Sequence, residues 1–278
     1  MPELPEVETT RAGIEPHIIG HQIKAFHVRQ PQLRWPIPTE LATLLTGNRV
    51  QAVRRRAKYL LIDIAAGKSE DLLGTLIIHL GMSGSLRVIN AKPYPDPKKH
   101  EHFDIEFDDC LVRFNDPRRF GACLWQAADE VDSRLQHLGP EPLSDTFNGD
   151  YIFAKSRGRS SAIKTFIMDQ RIVVGVGNIY ASESLFLAGI NPKKAAGKVS
   201  KKKYQELVSA IKIVLDNAIA QGGTTLRDFT SSDGKAGYFA QELRVYGREG
   251  LGCIQCQQPI KQIVQGQRST FYCTKCQR

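Results

Sequence analysis

Apolar residues recur along this chain at two different spacings, and the change falls near its middle. In the first half they form short alternating or continuous runs at 22–28, 50–53, 59–64, 75–80, 85–89, 103–107, 111–114 and 122–125, with Asp108-Asp109 separating two of them. Runs of this length, bounded by turn residues, predict strands in a sandwich or barrel. One helix is predicted before them, at 5–18, with Val7, Ile14 and Ile18 on a common face. The Pro- and Lys-rich stretch 92–100 and the polar stretch 67–71 are expected loops.

After residue 137 the period becomes helical. His137-Leu-Gly-Pro-Glu-Pro-Leu-Ser-Asp145 has linker composition. Helices are predicted at 161–169, carrying Ile163, Phe166 and Ile167, and at 179–188, closed by Gly189. A third is predicted at 200–220, with Leu207, Ile211, Val214, Leu215 and Ala218 in register, ending at Gly222-Gly223. Near the end, 257–272 reads as two short strands around Gln265-Gly266-Gln267, which puts Arg268 beside the tip of a hairpin. The order is a β domain, a helical domain and a hairpin.

The cysteines define that hairpin's base. Cys253-x2-Cys256 and Cys273-x2-Cys276, sixteen residues apart, match the four-cysteine zinc pattern. Four thiolates fill a tetrahedron and leave no open position, so one structural Zn²⁺ per chain is expected. Two disulfides are the alternative, and the N-terminus has no apolar secretory stretch to favour them. Cys110 and Cys123 sit in apolar, strand-like surroundings and are expected to be buried free thiols.

Length and charge sharpen the reading. The chain has 278 residues and a formal net charge of +9, which a four-thiolate zinc site lowers to about +7. Two domains and a polyanionic partner follow. No run reaches the roughly eighteen apolar residues of a membrane span, and no internal repeat is evident. A soluble, cytosolic protein is expected.

Several groups carry candidate chemistry. Removal of Met1 would leave Pro2 as a secondary amine with a pKa well below that of Lys, able to condense with an aldehyde-like carbon. Glu3 and Glu6 beside it could move protons, or could serve only as acidic residues in a helix's first turn. Arg54-Arg55-Arg56 runs into an apolar strand as a solvated edge, with Lys58 at the point where burial begins and a partner is needed. Met82 between Gly81 and Gly84 is expected on an exposed turn, where it is either incidental to the glycines or an apolar wedge for a base stack, and Phe120 after Arg118-Arg119 offers the same combination of apolar tip and cations. The Gly175-Val-Gly177-Asn178 turn at a helix start is a phosphate-clamp candidate.

Together these residues resemble the formamidopyrimidine-DNA glycosylase family of bacterial base-excision repair enzymes. The resemblance rests on Pro2-Glu3-Leu4-Pro5-Glu6-Val7-Glu8-Thr9, on Arg55-Arg56-Ala57-Lys58-Tyr59-Leu60, on 79–86, 116–121, 137–143, 174–184, 221–228 and 238–247, and on the cysteine quartet. It spans essentially the whole chain. The sibling endonuclease VIII family shares the Pro-Glu start and the zinc hairpin but does not usually continue Leu-Pro-Glu-Val-Glu-Thr.

The resemblance implies an α+β fold: a β-sandwich with a short N-terminal helix, a helix-two-turns-helix domain and a zinc-bound hairpin, with DNA between. It implies a catalytic sandwich domain at 2–133, a linker at 134–150, a helical domain with a lesion-recognition loop at 151–243 and a zinc finger at 244–278. Pro2 would attack C1′, Glu3 would act as acid, and Lys58 would contact phosphate and support β-elimination. Arg268 would bind phosphate and serve δ-elimination. Met82, Arg118 and Phe120 would fill the gap left by a flipped base, and Asn178 would hold phosphate with Arg268. His100, Arg118, Arg159 and Glu6 join the expected DNA contacts, although the family often has Lys where Arg159 stands. Residues 225–239 match the loop that closes over the lesion, and 67–74 match a lengthened surface loop. The implied partner is damaged double-stranded DNA, met by a monomer in the bacterial cytoplasm. An endonuclease VIII-like enzyme for oxidised pyrimidines, and a zinc-dependent DNA-binding protein without catalysis, remain the alternatives.

Overall fold

The structure is a computed structural model describing residues 2–67, 69–223 and 243–278. Two compact units meet in sequence at Gln136 and His137.

The first unit is a sandwich of two antiparallel sheets. One has the order β1 (Ala25–Val28), β6 (Glu101–Glu106), β7 (Leu111–Asn115), β5 (Ser85–Ile89); the other has β2 (Arg49–Arg56), β3 (Tyr59–Ala65), β4 (Leu72–His79), β8 (Ala122–Ala127). Alternate residues of both, such as Leu60, Ile62 and Ile64 against Phe103, Ile105 and Phe114, share one core. Helix α1 (Leu4–Ile18) closes that core with Val7, Ile14 and Ile18, and the short α2 (Leu41–Leu45), which has no clear period in sequence, adds Leu41 and Leu45. A second small cluster of Leu61, Ile77, Ala122 and Leu124 lies on the other face of the second sheet, with Trp35 and Tyr59. This is why β3 reads as a continuous apolar run: it is buried on both faces.

Two sequence expectations shift. Of 22–28 only Ala25–Val28 is strand, Gln22 making an isolated bridge to Arg49. Leu72, Leu73 and Gly74, expected in a lengthened surface loop, belong to β4. Gly74 pairs with Ala127, and a Cβ there would lie 2.3 Å from the Trp125 ring. Gly74, expected in that loop, is instead required by the close approach of an indole.

In the second unit, α3 (Ser133–Gln136) of the first is followed by α4 (Gly149–Ser156), α5 (Ile163–Ile167), α6 (Asn178–Leu187) and α7 (Lys201–Ala220). Asn148 caps α4 through the Tyr151 N–H at 3.0 Å, and Ser200 caps α7 through Lys203. Strands β9 (Lys261–Gln265) and β10 (Arg268–Tyr272) form the terminal hairpin. Gly266 and Gln267 have φ of 53° and 61°, the paired positive values of a two-residue type I′ turn. Phe186 of α6 packs into the hairpin's own core of Val245, Ile260 and Phe271.

Candidate active site and nucleic-acid interface

The start of α1 is a built feature. Glu3 is its N-cap and Pro5 lies in its first turn; Glu3 and Glu6 form a capping box in which the Glu3 N–H donates to Glu6 Oε2 at 2.8 Å. Pro2 is buried, and Glu3 and Glu6 are only 2% and 3% exposed. The residues expected to move protons therefore also fix the chain's first residues in one place.

Helix α1 is tied to the β2–β3 turn. Arg55 Nε donates to Glu8 Oε2 at 2.8 Å while its Nη1 donates to the carbonyl of Ala57 at 3.1 Å. Ala57 holds φ of 55°, a conformation that costs a non-glycine residue, and Lys58 beside it is 7% exposed. The basic run is not a simple solvated edge: Arg54 pairs with Asp63, and Arg55 with Glu8. The Lys58 charge reaches His79, which pairs with Tyr59 across β3 and β4 and packs on its ring at 4.9 Å. Burial, then Lys58 and Arg34, push the imidazole down to about 4. Gly81 N–H donates to its Nδ1 at 2.9 Å, so the neutral ring carries its proton on Nε2.

His79 lines an open cavity of about 670 Å³ with Leu33, Arg34, Met82, Arg118 and Phe120. Met82 is half-buried here, not on a fully exposed turn, because Gly81 packs against the backbone of Phe120 and Gly121. Phe120 is 44% exposed, with the Arg118 guanidinium 5.2 Å from its ring centre. His100 is half-buried; its carbonyl accepts from Asp116 N–H at 2.9 Å. The loop before it is clamped by a buried charge network. Arg113 donates to Asp104 at 2.9 Å and to the Pro95 carbonyl at 2.8 Å, and Glu101 accepts from the Lys98 N–H and from Arg87. Burial opposes the Asp104 charge, but Arg29 and Arg113 hold its carboxyl below the usual range.

In the second unit the centre is Lys164, 1% exposed on the apolar stripe of α5. Its Nζ donates to Asn178 Oδ1 at 2.6 Å, Thr270 Oγ1 at 2.7 Å and the Ser269 carbonyl at 3.1 Å. These bonds join α5, α6 and β10 through one buried ammonium. The Asn178 carbonyl is committed inward to Lys164, and its Nδ2 donates to the Tyr246 hydroxyl at 3.5 Å at the head of α6. Arg268 is exposed at the start of β10 and lines a cavity of about 250 Å³ with Lys164, Thr165, Met168, Asp169, Gln265 and Gly266. Arg159 is exposed and adds to the positive field at Asp169. Buried Glu183 accepts three successive backbone N–H groups, from Arg244, Val245 and Tyr246, at 2.8–3.0 Å. Burial pushes its carboxyl up.

Lys164, Glu183 and His79 escape pattern reading, which counts only apolar positions in those runs. The available signal was an ionisable side chain inside an apolar run. The loop expected at 225–239 lies outside the described residues.

The cysteine quartet fits one zinc ion. The four sulfurs lie within 4.8 Å of one another, with Cys253–Cys276 at 3.9 Å and Cys256–Cys273 at 3.4 Å. A tetrahedral tetrathiolate with bonds of about 2.3 Å separates its sulfurs by about 3.8 Å. Cys110 and Cys123 are buried free thiols, pushed up by burial, Cys110 to about 11.

Three family models match the chain: the formamidopyrimidine-DNA glycosylase N-terminal domain at 1–123, the H2TH domain of the same family at 138–230, and a zinc finger found in FPG and IleRS at 250–278. A formamidopyrimidine-DNA glycosylase from Stenotrophomonas maltophilia is 57% identical over the full length of both chains. Among solved structures, a Lactococcus lactis Fpg variant in complex with DNA containing Fapy-dG aligns at TM-score 0.90 with 33% identity, covering all of both chains. The complex of Lactococcus lactis Fpg with DNA containing an abasic site aligns at 0.89, also with 33% identity and full coverage. No described helix is long and apolar enough to cross a membrane.

Proposed function

The chain belongs to the formamidopyrimidine-DNA glycosylase family, and we propose that it excises oxidised purines, 8-oxoguanine and formamidopyrimidines, from duplex DNA in the bacterial cytoplasm. The observation that carries this reading is the arrangement of the first unit: a proline and a carboxylate fixed at a helix start, tied through Arg55 to the Lys58 turn, whose neighbour His79 opens onto the Met82–Phe120 cavity.

In the proposed sequence the Pro2 amine, freed of Met1, attacks C1′ as the bond to the base breaks. Glu3 supplies a proton to the departing base or to O4′; the C1′–O4′ bond must also break, with loss of the amine proton, to open the sugar and leave an iminium between Pro2 N and C1′. The resulting iminium acidifies C2′, and loss of that proton expels the 3′ phosphate; δ-elimination then expels the 5′ phosphate. The positive end of α1 disfavours a charged ammonium beside it and so favours the nucleophilic, neutral amine. Reaching C1′ requires flipping the nucleotide, which costs a few kcal/mol. Met82, Arg118 and Phe120 offset that by occupying the stack, while Lys58, His100, Arg159, Asn178 and Arg268 grip phosphates. Glu6, expected among the DNA contacts, is buried and accepts from the Glu3 N–H, so its part is to hold the N-terminal segment in place.

Incubation with duplexes carrying 8-oxoguanine or thymine glycol tests the substrate. Faster excision of 8-oxoguanine is expected; preference for thymine glycol would make the enzyme one for oxidised pyrimidines. Lys58→Ala and Arg268→Ala should each weaken binding across sequences and shallow the logarithmic salt dependence by about one unit. Fluorescence anisotropy over a salt series reads that slope, and an unchanged slope removes the residue from the phosphate contacts.

A further inference from the structure

We infer that Asp116 is a positioning residue that locks the Met82 turn and the Phe120 turn into a single wedge, so that the two side chains enter a base stack together. The inference rests on the wedge role proposed above and names the group that makes it work.

Asp116 is fully buried between β7 and β8. Its Oδ1 accepts the Ser83 hydroxyl at 2.8 Å and the Arg118 N–H at 3.3 Å; its Oδ2 accepts the Gly121 N–H at 2.8 Å. Ser83 follows Met82 directly, and Arg118 and Gly121 bracket Phe120. One carboxylate therefore holds both tips. Its backbone carbonyl accepts from Arg119 N–H at 3.2 Å, where Arg119 holds φ of 55°. A left-handed arginine persists only where its surroundings over-determine it, and here three donors around one carboxylate do so.

An independent observation points the same way. A Cβ at Gly81 would lie 2.4 Å from Gly121 N and from the Phe120 carbonyl carbon, and a Cβ at Gly121 would lie 2.9 Å from the His79 carbonyl and 3.0 Å from Asp116 Oδ2. The two turns touch backbone to backbone, so they are close enough for one carboxylate to bridge, and the Asp116 bridge holds them in that contact.

Ser83→Ala removes the bond to the Met82 turn and changes little else. It should slow lesion flipping about tenfold, the size of one hydrogen bond to a buried charge. Stopped-flow fluorescence of 2-aminopurine beside 8-oxoguanine reads flipping, normalised to trapping of single-stranded abasic DNA, which has no stack to open. Ser83→Thr, which keeps the hydroxyl, should restore the rate. Asp116→Asn turns one acceptor into a donor and should slow flipping at least as much; if it fails to fold, Ser83→Ala still decides. A double-mutant cycle gives the signature of coupling. Met82→Ala and Phe120→Ala should be strongly non-additive in the native background and additive beside Ser83→Ala. Normal flipping by Ser83→Ala, or an additive cycle in an otherwise active native enzyme, overturns the coupling alone. A native protein that neither flips nor excises any lesion overturns the wedge reading and the coupling with it.

Discussion

Stripping the zinc should abolish binding to lesion-containing duplex while leaving the Pro2 amine intact. Arg268 begins β10, whose far end runs directly into Cys273, and β9 starts a few residues beyond Cys256. The hairpin is only two short strands, too little to hold itself together in water. Its core contains Cys253 and Cys273 among a handful of apolar side chains, so zinc binding is the folding term for this module. Without it, Thr270 and the Ser269 carbonyl no longer receive Lys164, and a buried ammonium beside Asn178 loses both of its β10 acceptors. The phosphate grip at the head of α6 fails with the hairpin. Affinity should fall about a thousandfold, to the non-specific level, in chelated protein and in Cys253→Ser alike. Anisotropy with lesion duplex, alongside a zinc assay, checks this. Full affinity in protein verified to be zinc-free would show that the hairpin is not part of the grip. Zinc leaves no open coordination position and lies in a different unit from Pro2, so trapping of single-stranded abasic DNA should persist.

What the sequence could and could not reveal follows from the physics of each element. Val7, Ile14 and Ile18 set α1, and Leu207, Ile211 and Val214 set α7, because each buries one stripe against a core. The cysteine spacing fixed the zinc module because ligand geometry demands it. The hairpin was readable too, but its turn, expected at Gln265-Gly266-Gln267, narrows to Gly266-Gln267 because Gln265 pairs with Arg268. By contrast, α2 buries only Leu41 and Leu45 and α4 only Ile152 besides two small residues, too few apolar positions to show a period, and Gly74 is explained only by an indole brought from another strand. The expected interface residues fall on both units, but the groups that place them do not announce themselves. Lys164, Glu183 and Asp116 are single charges inside runs that pattern reading treats as apolar or as turns. Their partners lie far away in sequence: Lys164 meets Thr270, Glu183 meets Tyr246, and Asp116 meets Ser83. Long-range polar contacts leave no periodic trace, so the positioning residues are visible only in three dimensions.

With Met1 removed, the protein should form a borohydride-stable adduct with DNA containing 8-oxoguanine or an abasic site, and peptide mapping should place it on Pro2. While Met1 is attached, Pro2 N is a tertiary amide without a usable lone pair, so the same preparation with Met1 retained should not trap. Pro2→Gly keeps a free N-terminal amine but loses the ring that fixes its direction at the head of α1. Misdirecting a reacting atom typically costs about a hundredfold, and trapping should fall by that much. Glu3→Gln separates the two steps. Loss of a positioned proton donor should slow excision from an intact lesion about 100- to 10,000-fold, while a pre-formed abasic site, which has no base to expel, retains activity. The Gln side chain still offers a carbonyl acceptor at the N-cap, so α1 should keep its capped start and the variant should melt close to the native protein. The buried Lys58 is the competing amine, which is why the mapping decides. An adduct on Lys58 or any other lysine, or no adduct at all from Met1-free protein, would move the nucleophile away from the N-terminus and dissolve the proposed sequence of steps.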